Sequence, residues 1–293
     1  MITIDEKESK SLELDLEDKV SFEGIEIDQS ITSLKIKNAE KLTDISALSS
    51  LNNLNELKLD YCEELTDISA LTSLQNLNDL DLSWCDKLTD ISALASLKNL
   101  NELDLSACGE LTDISVLASL KNLNGLGLSE CKKITDISAL TSLRNLNVLD
   151  LSRCYELTDI SALASLKNLN ELDLSYCFEL TDISPLASLS NLKNLNLYQC
   201  LELTDISALS SLKNLEYLDL RDCGRIKDID VLKSLTKTEI IFDETEKDED
   251  EDQLWDEIND EPSAHYEKWE KLRENIYEIG DIEGSRYMEI ADE

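Results

Sequence analysis

The sequence predicts an α/β solenoid, a curved stack with a parallel β-sheet on its concave face and short helical or 3₁₀ turns on its convex face. Three observations support this prediction. A 23-residue unit recurs without insertion and gives eight full copies over residues 42–225. Most copies contain two leucines that alternate with polar residues, as in a strand with one buried face. Each copy also contains apolar residues spaced three apart, which is typical of a helical or 3₁₀ turn.

The first full unit, which begins at Leu42, shows the turn. Ile45, Leu48 and Leu51 stand three residues apart, so the apolar edge of the turn is expected to face inward. Asp44 comes just before this turn, where a carboxylate can cap exposed N–H groups.

The strand follows in the same unit. Leu57 and Leu59 alternate with polar neighbours. Asn53 falls at the bend before the strand, and asparagine tolerates left-handed backbone better than most residues. One unit buries too little surface to fold alone, so neighbouring units must stack. Their strands are expected to pair in parallel about 4.8 Å apart.

The repeats decay at both ends, as the terminal units of a stacked array are expected to do. A ninth unit begins at Ile226 and fades near Phe242, and the apolar spacing continues upstream to Ile31. We therefore expect a solenoid over residues 30–242, preceded by an N-terminal cap segment over 1–29.

The last 51 residues, 243–293, differ in composition, with 21 acidic residues against 5 basic ones. We expect a solvated acidic linker over 243–252. The acidic tail, 253–293, is expected to contain an amphipathic helix, because apolar residues recur at three- and four-residue spacing from Tyr266 to Ile279. This helix either covers the open end of the solenoid, which we favour, or docks a partner.

Eight cysteines occupy one position of the repeat. Stacked units hold neighbouring Cβ atoms about 4.8 Å apart, farther than the roughly 3.8 Å that a disulfide prefers. No C-x-x-C pair provides the spacing of a zinc site. The pattern predicts a buried column of reduced, structural thiols. Its members are Cys62, Cys85, Cys108, Cys131, Cys154, Cys177, Cys200 and Cys223.

The string L-x-x-L-x-L-x-x-C, followed by L-T-D-I-S-A-L, resembles the leucine-rich repeat, with cysteine where many members carry asparagine. The T-D-I-S-A-L portion is most similar to the short repeats of bacterial internalin-type proteins. The resemblance covers residues 30–242. It implies a horseshoe or arc that binds other macromolecules, usually proteins, on its concave face, and it names no partner.

A column of carboxylates is placed between the two strand leucines of five units. Calcium needs six to eight converging oxygens, so a flat column is not expected to hold a metal, and no cofactor is predicted. We interpret the column as an ordinary solvated sheet face on which a partner would land. Its members are Asp81, Asp104, Asp150, Asp173 and Asp219.

Five aromatic residues are expected to face the concave surface around this column. Aromatic side chains are typical anchors of protein interfaces. They either form a protein-binding surface together with the carboxylates or reflect sequence drift at positions outside the core. These residues are Tyr61, Trp84, Tyr176, Tyr198 and Tyr217.

Charge and composition narrow the function. The 63 acidic residues against 27 basic ones give a net charge of −36, which disfavours nucleic acid and anionic membranes and favours a basic partner. His265 is the only histidine, and no phosphate loop or dinucleotide fingerprint occurs, so an enzyme is not expected. The first twenty residues lack the apolar segment of a signal peptide, which predicts a cytoplasmic location.

The leading hypothesis is a monomeric, non-enzymatic scaffold that binds a protein or peptide with a basic surface. One alternative is an acidic, chaperone-like leucine-rich repeat protein that binds histones or other basic proteins. The other is a bacterial effector that acts by protein binding. Capture at low and high salt would separate the first two, because binding by charge alone disappears with salt.

Overall fold

Eleven short strands form one open parallel sheet in the computed structural model, which describes residues 10–16 and 19–242. The strands follow chain order, and each pairs with the next. They are β1 (Ser11–Asp15), β2 (Ser33–Lys37), β3 (Glu56–Lys58), β4 (Asp79–Asp81), β5 (Glu102–Asp104), β6 (Gly125–Gly127), β7 (Val148–Asp150), β8 (Glu171–Asp173), β9 (Asn194–Asn196), β10 (Tyr217–Asp219) and β11 (Glu239–Ile241).

From β2 onward, a five-residue 3₁₀ helix separates each strand from the next. The N–H of Leu48 donates to the carbonyl of Ile45 at 2.9 Å, and the N–H of Leu51 donates to Leu48 at 2.9 Å. This three-residue step matches the spacing of the apolar residues. The helices are Ser46–Ser50, Ser69–Ser73, Ser92–Ser96, Ser115–Ser119, Ser138–Ser142, Ser161–Ser165, Ser184–Ser188, Ser207–Ser211 and Asp230–Ser234.

The core lies between the sheet and these turns. Leu57 pairs with Leu80, and Leu80 pairs with Leu103. All three are buried, as are Ile45 and Leu48 on the turn side. Equivalent residues of successive units therefore stack on one another, and the predicted parallel solenoid is confirmed.

Asp44 caps its turn as expected. Its Oδ1 accepts the N–H of Ser46 at 2.8 Å, and the equivalent aspartate makes the same contact in each of the next eight units. These hydrogen bonds lower the pKa of Asp44 and of its counterparts Asp67 and Asp90 below the ordinary aspartate value.

The asparagine before each strand has a different role from the one expected. Asn53 has no positive φ, so the expectation of left-handed backbone there is wrong. Its Nδ2 instead donates to the carbonyl of Gln29 at 3.0 Å. Asn122 likewise donates to the carbonyl of Lys98 at 2.8 Å, 24 residues earlier in the chain. The asparagine therefore ties each unit to the one before it.

Left-handed backbone occurs instead just after each strand. The N–H of Tyr61 donates to the carbonyl of Ser83 at 2.9 Å, and that of Trp84 donates to Ser106 at 2.8 Å. Parallel pairing thus continues past the strand into the turn. The residues at this repeat position have φ between 51° and 60°, and they are Asn38, Tyr61, Trp84, Ala107, Glu130, Arg153, Tyr176, Gln199 and Asp222.

The eight cysteines form the predicted buried column, and none is bridged to another. Cys85 Sγ donates to the carbonyl of Leu59 at 3.4 Å, and Cys108 Sγ donates to Leu82 at 3.3 Å. Every later cysteine of the column contacts the preceding unit in the same way. Burial raises the pKa of the Cys108 thiol well above its usual value. The cysteine column therefore connects each of these units to the preceding one through a hydrogen bond.

The sheet begins before residue 30. Strand β1 pairs with β2 along five residues, and Leu12 and Leu14 of β1 are buried. Part of the segment predicted to be the N-terminal cap, 1–29, thus contributes the first strand of this sheet. The acidic linker predicted over 243–252 and the helix predicted within 253–293 lie outside the described residues.

Candidate protein-binding face

The predicted carboxylates lie in one column on the concave face, interrupted at Gly127 and Asn196. The concave face is defined here as the sheet face that carries the strand residues on either side of each central leucine. Strand pairing places these residues opposite one another from unit to unit. Side chains of neighbouring units therefore stand about 4.8 Å apart along the column. Its register is Lys58, Asp81, Asp104, Gly127, Asp150, Asp173, Asn196 and Asp219.

Four of the five carboxylates are buried. Asp104 and Asp173 are each 6% exposed, Asp150 is 3% exposed and Asp219 is 2% exposed, whereas Asp81 is half-buried. The interpretation of this column as an ordinary solvated face is therefore wrong. The close spacing of the strands is the physical reason, because side chains of adjacent units cover one another.

Each aspartate of the column holds the turn that follows its strand. Asp104 Oδ1 accepts the N–H of Ser106 at 2.8 Å, and Asp219 Oδ1 accepts the N–H of Arg221 at 3.0 Å. Asp81, Asp150 and Asp173 make the same contact to the serine two residues later. The D-x-S pattern was visible in the sequence and is typical of such a turn. These carboxylates therefore have a structural role whether or not a partner binds.

Burial makes ionisation of several carboxyls unfavourable. Burial, with the charges of Asp81 and Asp150, raises the pKa of Asp104 to about 7. Burial likewise raises the pKa of Asp79, on the neighbouring strand, to about 7, although Lys58 opposes the shift. A cation placed against these groups would favour their ionised forms. The concave face therefore offers an electrostatic environment in which a bound cation is favourable.

The second oxygen of these carboxylates differs from unit to unit. Asp173 Oδ2 accepts a hydrogen bond from Asn196 Nδ2 at 2.9 Å. Asp104 Oδ2 is buried and has no hydrogen-bond donor among the described residues, because the next strand carries Gly127 at the corresponding position. The column is therefore chemically distinct at Asp104.

Lys58 begins the column and is 2% exposed, and it pairs with a second cation, Lys35, at the same register position on β2. Its Nζ lies 3.7 Å from Glu56 Oε1 and makes no hydrogen bond with any described residue. Burial lowers the pKa of Lys58, while the charge of Glu56 opposes that shift. One end of the column is therefore partly neutralised by the protein itself.

Tyr61 and Trp84 form a stacked aromatic pair at the edge of the sheet where the strands end. Their rings stack with centroids 5.4 Å apart and planes 5° from parallel. Trp84 is 43% exposed, which makes it one of the few large apolar side chains open to solvent in the described chain. Both residues occupy the left-handed turn position rather than the strand, so they border the concave face.

A second aromatic group surrounds Tyr176 and Tyr198. The two rings meet edge to face with centroids 5.0 Å apart. Arg153 lies over the Tyr176 ring at 4.9 Å, and Arg221 lies over the Tyr198 ring at 5.1 Å. Each of these two tyrosines therefore packs against the other ring and against one guanidinium group.

Sequence reasoning missed two members of this group. Tyr155 and Phe178 stack with centroids 5.1 Å apart and planes 4° from parallel. Phe178 also meets Tyr176 edge to face at 6.1 Å. Tyr155 and Phe178 occupy the residue just after the column cysteine in successive units, so comparison of the aligned repeats would have found them.

Tyr217 does not belong to the exposed aromatic surface. It lies on β10 and is only 2% exposed, so the expectation that it stands open as an anchor is wrong. Burial raises the pKa of its phenol far above the ordinary value. Its hydroxyl lies 3.5 Å from Asp219 Oδ2, so Tyr217 contacts the last carboxylate of the column from the other side of the central leucine.

The described part of the chain offers no cluster of histidine, cysteine or carboxylate side chains arranged to hold a metal ion. In residues 10–16 and 19–242, no helix has both the length and the apolar character that crossing a bilayer requires.

Comparison with protein-family models matches leucine-rich repeats over most of the solenoid. A two-copy leucine-rich repeat model matches residues 144–188, 167–210 and 190–234. A Zer-1-like leucine-rich repeat model matches residues 91–161. A search of curated proteins found no match.

Solved structures give the same result. An internalin (inlF) from Listeria monocytogenes is 33% identical, with a TM-score of 0.69, over 81% of this chain and 67% of that one. Internalin C2 from the same organism is 30% identical, with a TM-score of 0.57, over 71% of this chain and 90% of that one. A leucine-rich repeat protein from Leptospira interrogans is 27% identical, with a TM-score of 0.57, over 73% and 55%.

The fold and the repeat define a solenoid of stacked leucine-rich units. The chain belongs to the leucine-rich repeat family, and its repeats are of the short internalin type. Membership of this family and the structural neighbours support a protein-interaction scaffold.

Proposed function

We propose that the protein is a non-enzymatic scaffold that binds a protein or peptide with a basic surface on its concave face. The observation that carries this proposal is the position of Trp84, exposed and stacked on Tyr61, beside a column of carboxylates. Charge complementarity would mainly speed association, and the aromatic contact would mainly slow dissociation.

The net charge of −36 supports a basic partner over nucleic acid or an anionic membrane. Because most of the column carboxylates are buried, the exposed side chains at its border supply most of the direct contact. We propose in addition that the protein acts as a monomer in the cytoplasm, a reducing compartment in which eight free thiols persist.

The experiment is affinity capture with the full chain, followed by measurement of the captured partner's binding to three variants. Trp84→Ala should weaken binding by about 2 kcal/mol or more if this residue is a hot spot. Alanine is a fair replacement here because Ala107 has the same left-handed backbone one unit later, with φ 57°. The double variant Trp84→Ala, Tyr176→Ala should weaken binding further.

The matched control is Val20→Ala. Val20 is 58% exposed and lies before the first full repeat, outside the aromatic groups, so its loss should leave the affinity unchanged. A partner that binds the double variant as tightly as it binds the wild type contradicts the concave-face proposal. A partner whose binding vanishes at high salt, with no effect of Trp84→Ala, would favour the basic-protein chaperone alternative.

A further inference from the structure

The concave face of the described chain has a notch beside β6, which carries no side chain on that face. Strand β6 is Gly125–Gly127, with glycine on both sides of its central leucine. Glu102 and Asp104 of the preceding strand lie over this bare strand. A Cβ added at Gly125 would stand 1.7 Å from Glu102 Oε2, and one added at Gly127 would stand 2.5 Å from Asp104 Oδ1.

The notch is small and acidic. Its volume is about 20 Å³, close to that of one water-sized group. Its lining residues are Lys58, Asp79, Leu80, Asp81, Glu102, Leu103, Asp104 and Gly125. Lys58 stands at one end, two strands away from Asp104 along the register, and lies near Glu56. Four carboxyl groups thus share one cation.

Asp104 points to what the notch would bind. Asp104 is only 6% exposed, and its buried Oδ2 accepts no hydrogen bond from residues 10–16 and 19–242. A buried carboxylate oxygen without a donor is costly. The charges that act on Asp104 most strongly are those of Asp81 and Asp150, and both are negative. A positively charged hydrogen-bond donor would both satisfy this oxygen and offset the negative charges around it.

In a later unit of the same protein, the equivalent carboxylate receives its second hydrogen bond from the chain itself. Asp173 occupies the equivalent position three units later, and Asn196 on the next strand donates to its Oδ2 at 2.9 Å. At Asp104 the residue in the place of Asn196 is Gly127. Asn196 thus supplies a hydrogen bond to Asp173 Oδ2. Asp104 Oδ2 lacks such a donor and would receive one from a bound molecule.

We propose that this notch receives the ammonium group of a lysine side chain from the protein partner. An ammonium is a compact cation with three donors, and it suits a space of this size better than the larger, planar guanidinium of arginine does. The inference rests on the proposed function only for the source of the lysine. The recognition of an ammonium by Glu102, Asp81 and Asp104 can be measured without the partner.

The test uses the full-length, ¹⁵N-labelled protein and the probe N-acetyl-lysine N-methylamide. The Gly125 and Gly127 amide resonances should shift in a saturable way with the probe. They should not shift with the norleucine analogue, which has the same shape without the charge, and the arginine analogue should bind more weakly. Asp104→Asn should weaken probe binding about tenfold, which is the effect of losing one hydrogen bond to a charged group.

Gly127→Asn is the most specific variant. Its Cβ would lie 2.5 Å from the present position of Asp104 Oδ1, so the Asp104 carboxylate must shift. The new amide, placed beside Asp104 as Asn196 is beside Asp173, should then compete with the probe for that carboxylate and abolish saturable binding. The matched control is Asp173→Asn, which changes the net charge as much as Asp104→Asn does and should leave the probe affinity within about twofold. Cooperative thermal unfolding and amide spectra dispersed like those of the wild type would show that Asp104→Asn and Gly127→Asn remain folded.

Two results would overturn the inference. One is equal weakening by Asp104→Asn and Asp173→Asn, which would mean that the acidic surface attracts the probe without a notch. The other is probe binding that survives Gly127→Asn. With a captured partner in hand, normal binding to Gly127→Asn but weak binding to Trp84→Ala would reject the notch and leave the proposed function standing. Probe binding by the notch, with no effect of Trp84→Ala on the partner's affinity, would support the notch and reject the proposed role of Trp84 in partner binding.

Discussion

The indole ring of Trp84 stacks on the phenol ring of Tyr61, with centroids 5.4 Å apart, although both residues have left-handed backbone. This conformation costs about 1–2 kcal/mol for a residue with a Cβ atom. The next unit places Ala107 in the same conformation. The turn is therefore imposed by the hydrogen bonds of the sheet, and it leaves the side chain at this position free to serve another purpose.

The backbone at Trp84 predicts an unusual order of stability. Glycine avoids the Cβ clash at φ 59°, so Trp84→Gly should be about 1 kcal/mol more stable than Trp84→Ala in urea unfolding. The control is Ala93, within the 3₁₀ helix Ser92–Ser96, where Ala93→Gly should lose about 0.5–1 kcal/mol. A Trp84→Gly variant less stable than Trp84→Ala would contradict this account of the turn.

The pKa of Asp104 predicts how stability depends on pH. An unfolded aspartate has a pKa of about 3.9, whereas burial raises that of folded Asp104 to about 7. Between these values the folded state holds a proton that the unfolded state has lost. The free energy of unfolding should therefore fall as the pH rises from about 4 to about 7.

Asp104→Asn tests this dependence, because asparagine stays neutral and keeps an acceptor for Ser106, as Asn196 does for Tyr198. The slope of the free energy of unfolding between pH 4 and pH 7 should be shallower in this variant. The control is Asp44→Asn. The pKa of Asp44 is lowered by its hydrogen bond to Ser46, so its stabilising effect is lost only below about pH 4. An unchanged slope in Asp104→Asn would show that its carboxyl is ionised throughout.

The cysteine column predicts slow thiol chemistry. Burial keeps the pKa of thiols such as Cys108 and Cys131 well above the usual value, so little thiolate forms at neutral pH. Titration with a thiol reagent should detect few thiols in the native protein and eight after denaturation without reductant. Detection of only four in the denatured protein would indicate two disulfides and argue against a reducing compartment.

Local periodicity determined much of this protein. The strict 23-residue period gave the parallel register, because each strand must meet its copy in the next unit. The alternation at Leu57 and Leu59 gave the strand, and the three-residue spacing from Ile45 to Leu51 gave the turn. The buried cysteines and the cap at Asp44 also followed from position within the unit, since both contacts recur unchanged along the stack.

The environment of the candidate site was decided by neighbours that are distant in sequence. Asp104 and Asp173 occupy the same position in units of nearly identical sequence, yet among the described residues only the Oδ2 of Asp173 receives a hydrogen bond, from Asn196. Tyr217 and Trp84 are both aromatic residues near the column, yet one is 2% exposed and the other 43%. Burial and hydrogen bonding on a sheet depend on which side chains stand about 4.8 Å away on adjacent strands. The sequence alone therefore determined the solenoid, and only the stacking of unequal units decided which of its acidic and aromatic residues remain available to a partner.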